Sequence, residues 1–285
     1  MNKLILGTAQ FGSHYGINNQ TGKPTENETS KILDLAQKSG ILFLDTAEGY
    51  GDSQKILGNY FRQHPQHSFK VLTKFSGHTE PLGTQLRNSL AELDLNKVYA
   101  YSFHRYTDIQ DSKLKNQLQS LKGEGLISKI GVSIYNNEEF KAAIDHDFIY
   151  VIQIPLNLLD NWAVRGELIK RAKSRNKEIH ARSVFLQGLF YKNPTNLPLS
   201  FTALSKNLQT IHEVSSKEKI KMNHLALRYV LSFSEIDRVL IGVETLEQLE
   251  DNLMALSVNI PQEVFSQMTQ INVSDHTLLD PRTWK

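Results

Sequence analysis

Short, nearly continuous apolar runs alternate with amphipathic helical stretches along almost the whole of this chain. The runs are KLILGTAQ from Lys3, ILFLDT from Ile41, KVLTKF from Lys70, VYAYSFH from Val98, ISKIGVS from Ile127, YVIQIPLN from Tyr150, EIHARSVF from Glu178 and RVLIGVE from Arg238. Strands that are apolar on both faces suit a parallel sheet, whose crossover connections cover it with helices. The intervening stretches read as those helices. In TENETSKILDLAQKSG, Ile32, Leu33, Leu35 and Ala36 share a face and Gly40 suits a C-terminal cap; PLGTQLRNSLAELDL has proline near its start. A long irregular segment through Pro194 and Pro198 follows the seventh run, and residues from Pro261 onward form an extension.

Eight βα units in about 250 residues predict an α/β fold, a (β/α)8 TIM barrel with a C-terminal extension, and one domain over residues 1–285. The competing architecture, an open doubly wound sheet, usually carries a Gly-rich dinucleotide turn after its first strand, and LGTAQFG lacks that spacing. With 32 basic and 30 acidic residues and no single-sign block, the chain gives no sign of binding nucleic acid or an anionic membrane. It has no cysteine, which excludes disulfides, thiolate nucleophiles and Cys-ligated zinc. MNKLILGTAQF lacks the long apolar core of a signal peptide, and charges interrupt every long apolar run. The expectation is a soluble, cytoplasmic protein, monomeric or a small homo-oligomer.

Barrel chemistry belongs to the C-terminal ends of the strands and the loops that follow them. The second run ends in Asp45, with Tyr50 on a loop between Gly49 and Gly51; the third places Lys74 at its end, and the fourth ends in His104. Singly, each has an ordinary structural explanation: a turn cap, a solvated lysine, a packed tyrosine, a hydrogen-bonded histidine. Together they suit proton donation to a carbonyl oxygen while hydride arrives at its carbon. A phenol titrates near 10, and an adjacent ammonium is expected to lower that value. A buried Lys74 needs a carboxylate, which Asp45 offers. A neutral His104 could donate to the same carbonyl oxygen. Glu48 and Asp52 read as loop and helix-start residues.

With LDTAEGYGDSQKILG, TKF and FHRYTD in collinear order, the chain resembles the aldo-keto reductase superfamily of NAD(P)-dependent carbonyl reductases, from LILGTAQFG to EQLEDN. The resemblance implies that Tyr50 is the general acid and that Asp45, Lys74 and His104 complete a catalytic tetrad. It also implies an extended NADP(H) or NAD(H) across the barrel mouth, with Gly7 and Thr8 at the end of the first strand among its contacts. Ser133 and Gln153 would hold the carboxamide. Ile134 stands where the family usually has Asn, so one carboxamide hydrogen bond falls to another residue such as Asn136. In ARSVFLQGL, Ser183, Leu186 and Gly188 keep the pattern, but Arg182 replaces a frequent aromatic; its guanidinium could stack on a ring or meet a phosphate or an anionic substrate. In IGVETLEQLEDN, Gly242, Thr245, Gln248 and Asn252 fit the adenosine-phosphate motif. Glu244 stands where NADP-dependent members commonly have Lys or Arg, which brings NAD(H) level with the family default.

Phe11, Tyr15, Tyr135 and Trp162, with His14 and Phe185, are the substrate-pocket candidates, a polar-aromatic mixture suited to a sugar or other hydroxylated carbonyl. The expected activity is reduction of an aldehyde or ketone, with a small-molecule carbonyl as partner. The alternative is a non-catalytic, cofactor-sensing protein of the same fold. A metal-dependent barrel hydrolase ranks last, because no His/Asp cluster has ligand spacing.

Overall fold

The computed structural model describes residues 2–77 and 80–284. Strands β1 (Leu4–Gly7), β2 (Phe43–Asp45), β3 (Lys70–Phe75), β4 (Val98–Phe103), β5 (Ile127–Ser133), β6 (Val151–Pro155), β7 (Glu178–Arg182) and β8 (Arg238–Gly242) pair in sequence order, all parallel, and close into a barrel. Helices α1 (Ala9–Gly12), α2 (Glu26–Lys38), α3 (Ser53–Gln63), α4 (Leu82–Leu93), α5 (Ser112–Gly123), α6 (Asn137–Asp145) and α7 (Trp162–Ser174) occupy the first six connections, with α1 and α2 both in the first. Helices α8 (Ser205–Lys217) and α9 (Met222–Leu231) fill the connection between β7 and β8; α10 (Leu246–Ala255) and α11 (Gln262–Thr269) follow β8. No helix among the described residues is long and apolar enough to cross a membrane. The eight-unit barrel and the extension expected from the sequence are both present.

Local chemistry explains the helix starts. Thr25 and Glu28 form a reciprocal capping box on α2, while Asp111, Asn136, Asn161 and Thr245 each accept a backbone N–H at the start of α5, α6, α7 and α10. Each such cap contributes about 1 kcal/mol. The large apolar core lies between strands and helices, with Leu4, Leu6, Leu44, Val71, Tyr101 and Phe103 on the strand side. A second, smaller apolar layer of Ile5, Phe43, Leu72, Ala100 and Val151 forms a separate cluster from the alternate strand positions.

The seventh strand is shorter than EIHARSVF suggested. It stops at Arg182, because the backbone turns left-handed at Ser183 (φ 58), Leu186 (φ 46), Gln187 (φ 53) and Gly188 (φ 87). Left-handed geometry cannot continue a strand, and the chain passes instead into short 3-10 turns at Leu186–Tyr191 and Leu199–Leu204. The C-terminal extension ends in two further 3-10 turns, His276–Leu279 and Pro281–Thr283.

Candidate active site at the barrel mouth

Side chains two residues apart on a strand point the same way, and the barrel register sets several of them level. Gly7 pairs with Asp45 on one side and Gly242 on the other, Ser133 pairs with Gln153, and Pro155 pairs with Arg182. A cavity of about 410 Å³ opens among these strand ends. Asp45, Tyr50, Lys74 and His104 line it from the β2–β4 side, Ser133, Gln153 and Arg182 from β5–β7, and Gly242, Glu244, Gln248 and Asn252 from β8 and α10.

Lys74 and Asp45 are 2% and 3% exposed, so their charges must answer one another. Lys74 Nζ donates to Asp45 Oδ1 at 2.5 Å and to the Thr46 carbonyl at 3.0 Å, and Gln153 Nε2 donates to Asp45 Oδ2 at 2.9 Å. Burial alone would pull the Lys74 ammonium below its ordinary value, but Asp45 and Tyr50 outweigh it and hold it above. Lys74 Nζ lies 5.2 Å from the centre of the Tyr50 ring. The His104 ring meets Tyr50 edge-on at 5.9 Å. Burial first, then the nearby Lys74 charge, push the His104 imidazole down to about 4, so it is neutral at neutral pH.

The expected fall in the Tyr50 pKa does not occur in this site. Burial raises the phenol above its ordinary value and outweighs the pull of Lys74, whose charge is already shared with Asp45. The phenol therefore keeps its proton at neutral pH, as a proton donor must.

The Tyr50 loop is shaped by a close backbone approach. Gly51 has φ 53, and a Cβ there would sit 2.4 Å from the Gly12 carbonyl oxygen; a Cβ on Gly12 would sit 1.6 Å from the Tyr50 carbonyl oxygen. Glu48 is more than a loop residue. Its carboxylate accepts from Tyr101 OH at 2.6 Å, Ser89 Oγ at 3.1 Å and Ser76 N at 3.1 Å, which fastens the loop to β4, α4 and the end of β3. Asp52 precedes α3 as expected and pairs with Lys23 at 2.9 Å.

Gly7, Thr8, Ser183, Leu186 and Gly188 also line the cavity, as do Tyr15, Tyr135 and Phe185. Five candidates lie outside the cavity lining. Phe11 is fully buried in the apolar core, because α1 turns it inward. Trp162 stacks on Phe233 at 4.0 Å and 7° and does not line the cavity. Thr245 spends its hydroxyl as the α10 cap, accepting from Gln248 N at 3.3 Å. Asn136 likewise caps α6, its Oδ1 accepting from Glu139 N at 2.8 Å, and does not line the cavity. His14 is exposed, with Nε2 3.0 Å from the Asn19 carbonyl oxygen, and also lies outside the cavity lining.

Sequence reasoning passed over Gln10, Asn18, Gln187, Tyr191 and Asp251, which line the cavity. One of them had a signal: a Cβ at Gly242 would fall 2.4 Å from Gln10 Nε2, so the glycine in IGVE makes room for that amide. Asp251 lies on α10, and Asn18, Gln187 and Tyr191 lie on a loop and a 3-10 turn whose course no local pattern reports. Among the described residues no three His, Asp or Glu side chains converge as a metal site.

The chain is 27% identical to the L-galactose dehydrogenase of Arabidopsis thaliana, over 93% of this chain and 89% of that one. It is 23% identical to the NADH-specific methylglyoxal reductase of Escherichia coli, over 91% of each. The holo form of a Bacillus halodurans aldo-keto reductase shares the fold, with a TM-score of 0.75 at 19% identity, over 96% of this chain and 94% of that one. Residues 3–273 match the Aldo/keto reductase family as a whole, and the chain belongs to that family.

Proposed function

We propose that the protein reduces an aldehyde or ketone to an alcohol with a nicotinamide dinucleotide as hydride source and Tyr50 as proton donor. The observation that carries this reading is the convergence of Asp45, Tyr50, Lys74 and a neutral His104 on one cavity. A bound dihydronicotinamide supplies the hydride. The Tyr50 O–H gives its proton to the carbonyl oxygen, and the phenolate left behind faces the Lys74 ammonium, which Asp45 keeps charged. His104, uncharged, donates to the same oxygen and sets the angle of the carbonyl.

The donor set suits a nicotinamide carboxamide. Ser133 and Gln153 are register partners on β5 and β6 and both line the cavity. Gln153 spends its N–H on Asp45, and neither Gln153 Oε1 nor Ser133 Oγ has a partner among the described residues. One acceptor and one hydroxyl donor match an amide's N–H and C=O. At the far side, Glu244 and Asp251 line the cavity beside Gln248 and Asn252, while its cations, Lys74 and Arg182, stand on β3 and β7. Asp251 is already held by Lys221 at 2.6 Å, so the Glu244 carboxylate is the one that would repel a 2′-phosphate and accept from a free 2′-hydroxyl, which favours NADH over NADPH. The NADH-specific methylglyoxal reductase among its relatives supports that choice.

Steady-state kinetics on a carbonyl panel that includes sugars, with both cofactors, tests the reading. NADH should exceed NADPH in kcat/KM by at least about tenfold, a difference of roughly 1.4 kcal/mol. Tyr50→Phe should lower kcat by about 10²–10⁴-fold while the cofactor Kd stays near the wild-type value. A wild-type kcat in that variant removes Tyr50 as proton donor. Cofactor binding with no turnover across the panel makes the protein a sensor instead.

A further inference from the structure

Arg182 is a cation in the cavity wall without a carboxylate. Its Nη1 donates to Ser183 Oγ at 3.0 Å and its Nη2 to the Ile134 carbonyl at 2.9 Å, and the guanidinium lies 4.1 Å from the centre of the Tyr135 ring. No ion pair to it exists among the described residues, and its Nε is sealed from solvent with no acceptor. A half-buried guanidinium in that condition has given up hydration for two neutral acceptors, a ring face and the more distant field of Asp280, with no carboxylate in contact.

Arg282 makes the contrast. It comes from the last 3-10 turn and lies 3.5 Å from the centre of the same Tyr135 ring. Asp280 grips it in bidentate fashion, Nε to Oδ1 at 3.0 Å and Nη2 to Oδ2 at 2.6 Å, and the Glu139 carboxylate adds to the field that holds it charged. Two guanidiniums so near one ring centre would collide on a single face, so Tyr135 is clamped between them. Tyr135 is fixed further by its backbone: N donates to Glu139 Oε2 at 2.6 Å, and O accepts from Arg165 Nη2 at 2.8 Å. Arg165 is itself locked on Asp160 through two bonds of 2.7 Å. The nearby carboxylates are thus taken, and Arg182 is left on a rigid wall facing the cavity.

Its position says which molecule the charge meets. Arg182 is tied to the end of β5, and its field reaches His104 and Tyr15. The charge therefore acts toward His104 and Tyr15, which line the cavity together with Tyr50.

We propose that Arg182 recognises an anionic group on the substrate, so that the compound reduced is a carbonyl bearing a carboxylate or a phosphate. The inference rests on the carbonyl-reductase reading above. The clamped Tyr135 ring packs against the substrate's carbon skeleton, and the guanidinium offers its remaining N–H donors to the anion.

Matched substrate pairs test it: succinic semialdehyde against butanal for a carboxylate, glyceraldehyde 3-phosphate against glyceraldehyde for a phosphate. The wild-type protein should favour the anionic member of at least one pair in kcat/KM by roughly 10- to 100-fold, the usual range for a hydrogen bond to a charged group. The pair that shows the preference identifies the anion. In Arg182→Gln the anionic-to-neutral ratio should fall to near one, with the change carried mainly by KM of the anionic member. Calorimetric titration of succinate and inorganic phosphate into the protein saturated with NAD⁺ gives a readout without turnover. One of them should bind the wild type and be lost in Arg182→Gln. If no carbonyl is reduced yet that Arg182-dependent binding persists, the reductase reading fails and the anion site stands. Ratios near one in the wild type, or an unchanged ratio in Arg182→Gln, overturn the proposal. So does a variant that weakens only cofactor binding, because the anion would then be the cofactor's own pyrophosphate.

Discussion

The two ends of the barrel carry the same four kinds of side chain and use them in opposite ways. At the mouth stand Asp45, Lys74, Tyr50 and His104; at the other end stand Glu178, Lys129, Tyr99 and His180. Even one contact is repeated: Lys129 Nζ lies 4.9 Å from the centre of the Tyr99 ring, as Lys74 Nζ lies 5.2 Å from that of Tyr50. At the lower end the four side chains bond to one another, leaving, among the described residues, only His180 Nδ1 of their buried polar atoms without a partner. The Glu178 carboxylate accepts from Tyr99 OH at 2.8 Å and from Lys129, and shares a 2.8 Å bond with His180 Nε2, while Lys129 also donates to Tyr99 OH at 2.7 Å. At the mouth, Lys74 donates to Asp45 and to the Thr46 carbonyl, but His104 makes no hydrogen bond among the described residues. A surface hollow borders both sets. A hollow is therefore not what separates the two clusters; the difference is that Tyr50 and His104 both line their cavity, whereas Tyr99 is bonded to Glu178 and Lys129 and His180 is sealed from solvent against Glu178.

The largest expected difference comes from removing each lysine. Lys74→Met should cost about 10²–10⁴-fold in kcat, because it removes the charge that receives the phenolate. Lys129→Met should leave kcat within about twofold and lower unfolding stability by roughly 1 kcal/mol, since Lys129 is one-third exposed. Equal losses of kcat in the two variants would erase the distinction.

A smaller effect separates the acids by pH. Burial pushes Glu178 up, but His180, Lys129 and Tyr99 outweigh it and hold it well below the usual carboxylate range. A depressed folded-state pKa stabilises the protein above the unfolded value near 4.5, and that stability is lost as pH falls toward the folded value. Glu178→Gln should therefore cost about 2 kcal/mol at pH 7, and urea denaturation should show the gap to wild type closing below pH 4.5. A gap that stays constant down to pH 3 would mean the network owes nothing to the carboxylate's charge.

The smallest effect concerns His104. With its pKa lowered to about 4, kcat/KM should be flat through 6.5 and fall only as the imidazole charges toward pH 4. An inflection near 6.5 that disappears in His104→Gln would show the ring to be solvated like an ordinary histidine.

The strand-end residues were legible because parity and order suffice for them: once the runs are strands, Asp45, Lys74 and Ser133 have to meet at one mouth. Distinguishing Tyr50 from Glu48 was harder. The two lie close together on one loop, and their opposite fates depend on Gly51 seating against Gly12. Phe11 and Trp162 look as suitable as Tyr15 and Tyr135 in sequence, yet one enters the core and the other meets Phe233. Composition near a site does not encode direction. Arg282 was out of reach for a different reason, because it returns to Tyr135 from a tail nearly 150 residues away in sequence. The phenol's raised pKa was also missed, since charge proximity is visible in sequence and burial is not.

The left-handed stretch after β7 sets a limit on how the protein can be made hardier. Ser183, Leu186 and Gln187 each hold a backbone conformation that disfavours their side chains by about 1 kcal/mol. Glycine at Gln187 would relieve that strain, but the same change deletes the amide that donates to Tyr15 OH at 3.2 Å. A relief of strain that is available without loss at Asp94, Asn176 or Lys219, away from the cavity, thus costs the shape of the pocket at Gln187, and there selection for robustness and selection for substrate choice pull on the same residue.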